Sequence, residues 1–329
     1  MDFDLNDELS VLRDALAQTV SRYAAGPRNG ATAAPLRFSY NDELDQALEK
    51  GEFFSLARQP EYARLGAALL VYEACQAPRT VEVAGSGYVA PLICDDPLPR
   101  PIALARAQDL TRMVRFLPLA RTVLVDTGDD VLALAVSREE IDRVSSVYAY
   151  PMGRYRAPPD LSKARSLGSG AVQPMRTAWR AAMALEAASA LERALAATVE
   201  YVKERTIFGR ALGSFQAVQH RLAEDEQMSQ ALYWLAMKAA WSGDPADAAA
   251  AALYAQNIIP KITFDIHQFN GANGFTLENV LHFWSFRLKY LQSEIGGPAS
   301  QAIALAELAW PSGAASQSRA RSAPTEAVA

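Results

Sequence analysis

Glu204-Arg205-Thr206-Ile207-Phe208-Gly209-Arg210-Ala211-Leu212-Gly213-Ser214-Phe215-Gln216-Ala217-Val218-Gln219-His220 closes one long helical pattern and opens the next. An arginine, an aromatic and a glycine sit oddly at a helix junction unless something docks there. A helix start leaves backbone N–H groups unpaired, and these favour an anion. Arg205 adds a fixed charge and a planar donor fork suited to phosphate. Phe208 offers a flat apolar face, and Gln216 can both donate and accept. Together they could clamp a flat, phosphorylated cofactor. The plainer alternative is a helix hairpin closed by Gly209 over a buried Phe208.

A second junction lies about 60 residues downstream, at His267-Gln268-Phe269-Asn270-Gly271-Ala272-Asn273-Gly274-Phe275-Thr276-Leu277-Glu278. Gln268, on the last helical turn, supplies amide donors and acceptors. The glycines remove steric limits where backbone approaches another group. The plainer alternative is a helix C-cap, with Gly271 and Gly274 ending the helix.

The chain has 329 residues, enough for two or three packed units. Half of it is hydrophobic and 21% is charged, a globular balance. A net charge of −5, with Lys and Arg spread along the chain, argues against nucleic acid. Two cysteines, Cys75 and Cys94, and three histidines, His220, His267 and His282, can build neither a disulfide framework nor an obvious metal site. The opening Met1-Asp2-Phe3-Asp4 is acidic, unlike a signal peptide, and no apolar run approaches the roughly 20 residues of a membrane span. A cytoplasmic protein without a membrane span is expected.

Hydrophobic periodicity predicts helices over 4–24, 42–49 and 60–77, with 84–92 either helical or extended. The Pro97-Leu98-Pro99-Arg100-Pro101 run ends this unit. Met113–Pro118, Thr122–Asp126, Val131–Val136 and Val144–Tyr150 then read as short strands, with a turn at Gly128-Asp129-Asp130. After the Leu167–Gly170 linker, helices are expected over 172–205, 215–242, 244–270, 276–293 and 297–310, an antiparallel bundle. The reading is mainly α with a small β domain. Residues 1–97 form an N-terminal helical domain, 98–165 a reduced middle β domain and 166–310 a C-terminal bundle. Residues 311–329, rich in Ser, Ala and Arg, are expected to form a disordered tail.

Arg205, Phe208, Gly209, Arg210, Leu212, Phe215, Gln216, Val218 and Gln219 fall at the spacing of a flavin-contact motif of the acyl-CoA dehydrogenases. Gln268, Gly271, Gly274 and Phe275 resemble that family's second flavin motif, with Ala272 in place of its usual second glycine. The order of helical, β and bundle units is also similar. The resemblance implies FAD as cofactor and desaturation of an acyl-CoA thioester. It also implies that Arg205, Phe208, Gln216, Gln268 and Gly271 reach, across a subunit interface, the FAD held mainly by a neighbour.

The family's base, a glutamate, is expected in one of two places. In the loop after the penultimate helix, aligned on Gln292 and Gly296, its position falls on Ile295, with Glu294 one residue early and pointing elsewhere. On the first bundle helix, 26 residues before Arg205, it falls on Trp179, followed by Arg180, which matches a family arginine. Neither position offers a base, and packing is the expected role of Trp179. The polar loop that cradles the flavin ring is also missing, with Ala103-Leu104-Ala105-Arg106-Ala107 in its place. The pattern resembles the non-catalytic subunit of heteromeric α2β2 acyl-CoA dehydrogenases that act on steroid side chains. Such a chain pairs with a catalytic subunit that supplies the glutamate and the acyl-CoA site. Two alternatives stand beside it: a self-sufficient homo-oligomeric dehydrogenase using Glu294, and a scaffold that binds no flavin.

Overall fold

The computed structural model describes residues 5–23 and 40–310. The acidic first residues, the Gly26–Gly30 break and the tail expected from 311 lie outside them. The N-terminal unit contains α1 (Asp7–Tyr23), α2 (Asp42–Lys50), α3 (Ala63–Cys75) and α4 (Ala90–Ile93). Leu9, Leu12, Leu16 and Val20 are the buried stripe of α1, as the spacing requires. Asn41 caps α2 by accepting from the Leu44 N–H at 3.2 Å. The ambiguous segment at 84–92 is a π-helical turn, Ala84–Val89, running into α4.

The β unit has two small sheets. One runs β1 (Ile102–Arg106), β3 (Thr122–Asp126), β4 (Val131–Ala135) and β7 (Arg165–Ser166); the other runs β2 (Val114–Arg115), β6 (Met152–Tyr155) and β5 (Ile141–Arg143). β3 and β4 form the expected hairpin, with Gly128 at φ 99° in its turn. β1 pairs in parallel with β3, so Ala103–Arg106, where the resemblance puts a flavin-cradling loop, is regular strand.

Two strand expectations are corrected. In Met113–Pro118 only Val114 and Arg115 pair, because Phe116 turns the chain at φ 63°. Residues 144–150 form no strand. Their alternating aromatics instead place Tyr148 and Tyr150 against Tyr290, with ring centroids 5.4 and 5.5 Å apart.

The C-terminal bundle is α5 (Val172–Glu204), α6 (Gln216–Ser242), α7 (Pro245–Asn270), α8 (His282–Leu291) and α9 (Gly297–Ala309). The helix expected over 276–293 begins six residues late, at His282. Asp244 caps α7, accepting from the Ala246 N–H at 2.7 Å, with Pro245 pre-set in the first turn. Gly243 ends α6 in the left-handed region at φ 60°. α5 is the central helix. Its buried alanines let α6, α7, α8 and α3 approach closely, and one hydrophobic core runs from the N-terminal unit through the bundle.

Buried polar contacts join the units. Arg287 of α8 donates to the carbonyls of Cys75, Ala77 and Phe283. Arg176 of α5 grips Asp126 of β3 with two bonds of 2.6 and 2.9 Å. The β unit therefore cannot swing from the bundle without breaking charge-assisted bonds.

Candidate functional site

The two helix junctions meet at one end of the bundle. Between β8 (Thr206–Ile207) and β9 (Arg210–Ala211), Phe208 and Gly209 form a two-residue turn with φ of 51° and 77°. Positive φ at both positions fits the right-handed twist of a hairpin, but for an aromatic the left-handed region costs about 1–2 kcal/mol. Phe208 receives no packing in return, being 93% exposed, so the plainer expectation of a buried Phe208 is overturned. A small apolar cluster of Val202, Val218 and Phe269, flanked by Tyr201, Leu212, Phe215 and Leu222, welds the end of α5, the hairpin, the start of α6 and the end of α7.

On this weld stand Arg205, the C-cap of α5, and Gln216, the first residue of α6; α6 starts with no side-chain cap. Gln268 projects from the last turn of α7. All three are exposed, and among the described residues none has a side-chain hydrogen bond or ion pair. Arg205 in particular is not paired with Glu204. Gly271 does end α7, its N–H bonding to the Gln268 carbonyl, whereas Gly274 lies in the turn beyond. At φ 57° and ψ −145°, Gly271 adopts a conformation that L residues avoid. No atom lies within 4 Å of where its Cβ would be, so the space beside it is open. The junction thus gathers a helix start without a side-chain cap, a free guanidinium, two free amides, an aromatic face and a bare backbone approach. These donors fit an adenosine-pyrophosphate group.

A second constellation lies between the β unit and the bundle. Trp179 and Glu294, the two neighbourhoods where a base was sought, touch: the indole N–H donates to Glu294 Oε1 at 3.1 Å. Arg115 Nε donates to the same oxygen at 2.9 Å. Arg115 Nη1 donates to Glu186 Oε2 at 2.5 Å, and the Tyr150 hydroxyl donates to Glu186 Oε1 at 2.5 Å. Each of these five residues is at least 95% buried. The Arg115 guanidinium also lies 5.2–5.9 Å from the ring centroids of Phe116, Tyr150 and Tyr290. Burial pushes the Glu294 carboxyl above its ordinary range, and Arg115 opposes the shift.

Glu294 therefore does not point away from the site, as the loop alignment suggested. It turns inward because Ile295 adopts φ 54° and is followed by Gly296 and Gly297 at 92° and 74°. Beside it is a cavity of about 260 Å³, lined by Leu104, Arg106, Val114, Trp179, Tyr290 and Glu294 among others. That is below the roughly 300–1,000 Å³ of ordinary ligand pockets. Arg180 hydrogen-bonds Gln301 of α9 at 2.7 Å. Arg115 and Glu186 escaped the sequence reading. One sits in a β-rich run and the other in an alanine-rich helix, and no spacing marks them as partners.

Both cysteines are buried and free. Among the described residues no group of side chains could hold a metal ion, and no helix is long and apolar enough to cross a membrane.

Residues 168–298 match the family described as Acyl-CoA dehydrogenase, C-terminal domain. The chain is 35% identical over 102 residues to the acyl-CoA dehydrogenase IpdE2 of Mycobacterium tuberculosis, a match covering 31% of this chain and 32% of that protein. The matched stretch thus spans about a third of that curated relative. Over nearly its whole length the structure resembles the ChsE4–ChsE5 complex from Mycobacterium tuberculosis, with a TM-score of 0.76 and 19% identity over 95% of this chain and 100% of that one. It also resembles the Tcur3481–Tcur3483 steroid ACAD G363A variant, with a TM-score of 0.76 and 20% identity over 96% and 100%. The fold is that of the acyl-CoA dehydrogenases. The match to the family's C-terminal domain falls on the bundle.

Proposed function

We propose that this chain is the non-catalytic subunit of an FAD-dependent acyl-CoA dehydrogenase. Arg205, Phe208, Gln216, Gln268 and Gly271 contact the FAD of a partner chain, and that partner supplies the catalytic glutamate and the acyl-CoA site. One observation carries this reading: all five residues stand exposed at one bundle end, with Phe208 held in a costly backbone conformation that the chain itself does not use. When bound, FAD accepts the hydride as the acyl group loses its α and β hydrogens. Arg205 would hold the pyrophosphate charge, Gln216 and Gln268 would orient the nucleotide, and Phe208 would cover its flat face. The assembly proposed with it is α2β2, in keeping with the two-chain complexes among the structural neighbours. The two-chain composition of structural neighbours and the steroid ACAD among them make a steroid side-chain thioester the first substrate to test.

The self-sufficient alternative uses Glu294 as base, and its raised pKa and adjoining cavity are in its favour. Its geometry is against it. Oε1 already accepts from Arg115 and Trp179, and Oε2 is sealed from solvent without a partner. A base must reach the proton that it removes.

The test is Arg205→Ala in the complex formed by co-expression with a catalytic acyl-CoA dehydrogenase chain. A hydrogen bond from a charged donor is worth about 1.5–3 kcal/mol, so FAD affinity should fall roughly 10- to 100-fold. Unchanged flavin content would point to a scaffold instead.

A further inference from the structure

The buried cluster around Arg115 has no part in the function proposed above, yet it buries three charged side chains, Arg115, Glu186 and Glu294. Its guanidinium sits on β2, between the β unit and the bundle. It is held by two carboxylates, Glu186 from α5 and Glu294 from the loop after α8, and walled by three aromatic rings. The groups facing it are Glu186 and Trp179 of α5, Tyr290 of α8, Glu294, and Phe116 and Tyr150 of the β unit. The other buried arginines among the described residues use neutral acceptors: Arg180 donates to the Gln301 side chain, and Arg287 of α8 to backbone carbonyls. This shell has the composition of a binding site for a planar organic cation: paired carboxylates for the N–H fork and ring faces for the flat charge. The cavity left beside it shares Trp179, Tyr290 and Glu294 with that shell.

We infer that Arg115 is the resident ligand of this chain's own inter-domain site, an autoinhibitory side chain that fills the space between the β unit and the bundle and makes Glu294 its counterion. The guanidinium takes the place that a bound cation would occupy, with only Arg115 Nη2 and Glu294 Oε2 of this cluster left without a partner. The inference deepens the partner-subunit reading in one respect: a pair of chains would then keep only the partner's site open.

Arg115→Ala in the full-length chain tests this by chemical rescue. Removing the cation leaves two buried carboxylates facing each other across the space it vacated. The melting temperature should fall by roughly 6–12 °C. Tens of millimolar methylguanidinium should restore at least half of the loss, methylammonium at the same concentration much less, and neither should stabilise the parent. If Arg115→Ala is insoluble, expression with methylguanidinium should recover it. Independently, adding Glu186→Gln and Glu294→Gln should restore folding and abolish the response to methylguanidinium. An Arg115→Ala chain as stable as the parent, equal rescue by both cations, or failure of both the rescued and the neutral-shell variants would overturn the inference. None of these readouts involves flavin or turnover, so they stand apart from a failure of the subunit reading.

Discussion

The indole N–H of Trp179 donates to the carboxylate of Glu294 across 115 positions of sequence, at 3.1 Å. One residue stands where a catalytic glutamate was sought on α5, and the other lies beside the alternative position in the loop before α9. The Arg115 cation bridges the same Glu294 oxygen to Glu186. What the alignment shows as two separate losses is, in space, one substituted cluster.

Glu294→Gln keeps a carbonyl oxygen for the two N–H donors but removes the counter-charge of Arg115. In the assembled enzyme, turnover should stay within about twofold. The chain should lose on the order of 2–4 kcal/mol of stability, read by urea unfolding. Loss of a general base would instead lower turnover by 10²-fold or more.

Trp179→Phe deletes one hydrogen bond onto Oε1 and keeps an aromatic ring. A loss of about 1–2 kcal/mol is expected from denaturant midpoints, with no change in flavin content. A loss of flavin would place the cluster in contact with the cofactor.

Phe208→Gly should act in opposite directions in the two states. The isolated chain should gain up to about 1 kcal/mol, since glycine accepts φ 51° without the steric cost. The complex should lose FAD or partner affinity, because the exposed ring is gone. Parallel measurements of thermal unfolding and flavin retention check both arms.

Glu73, on the buried face of α3, has its carboxyl pushed up to about 7, chiefly by burial. The folded state therefore holds a proton that the unfolded chain releases near its ordinary value of 4.5. The associated stability is fully present below about 4.5 and is lost as pH rises through about 7, at most about 3 kcal/mol. Between pH 5 and 8 the melting temperature should decline, and Glu73→Gln should flatten that part of the profile.

The helices were legible because their apolar spacing and caps are local: α1, α2, α6 and α7 fall within a few residues of expectation. The hairpin at Gly128 was legible for the same reason. The false strand at 144–150 shows the limit. Tyr148 and Tyr150 alternate because both pack on Tyr290, a contact made 140 residues away in sequence. The exposed junction was visible through its unusual residues, Arg205, Phe208 and Gln268. The buried cluster was not, because Arg115, Glu186 and Glu294 acquire their meaning only when β2, α5 and the loop before α9 converge. The expectation that Glu294 points away failed because the left-handed Ile295 redirects the loop, which a residue count cannot reveal.

The central claim is that the chain lends its exposed junction to a cofactor held elsewhere. Flavin content and acyl-CoA oxidation should be measured for the chain alone and after co-expression with a catalytic acyl-CoA dehydrogenase chain. The account predicts no flavin and no activity alone, and one FAD per pair of chains with activity in the complex. One FAD per chain with activity in isolation would contradict it and return Glu294 to the role of base.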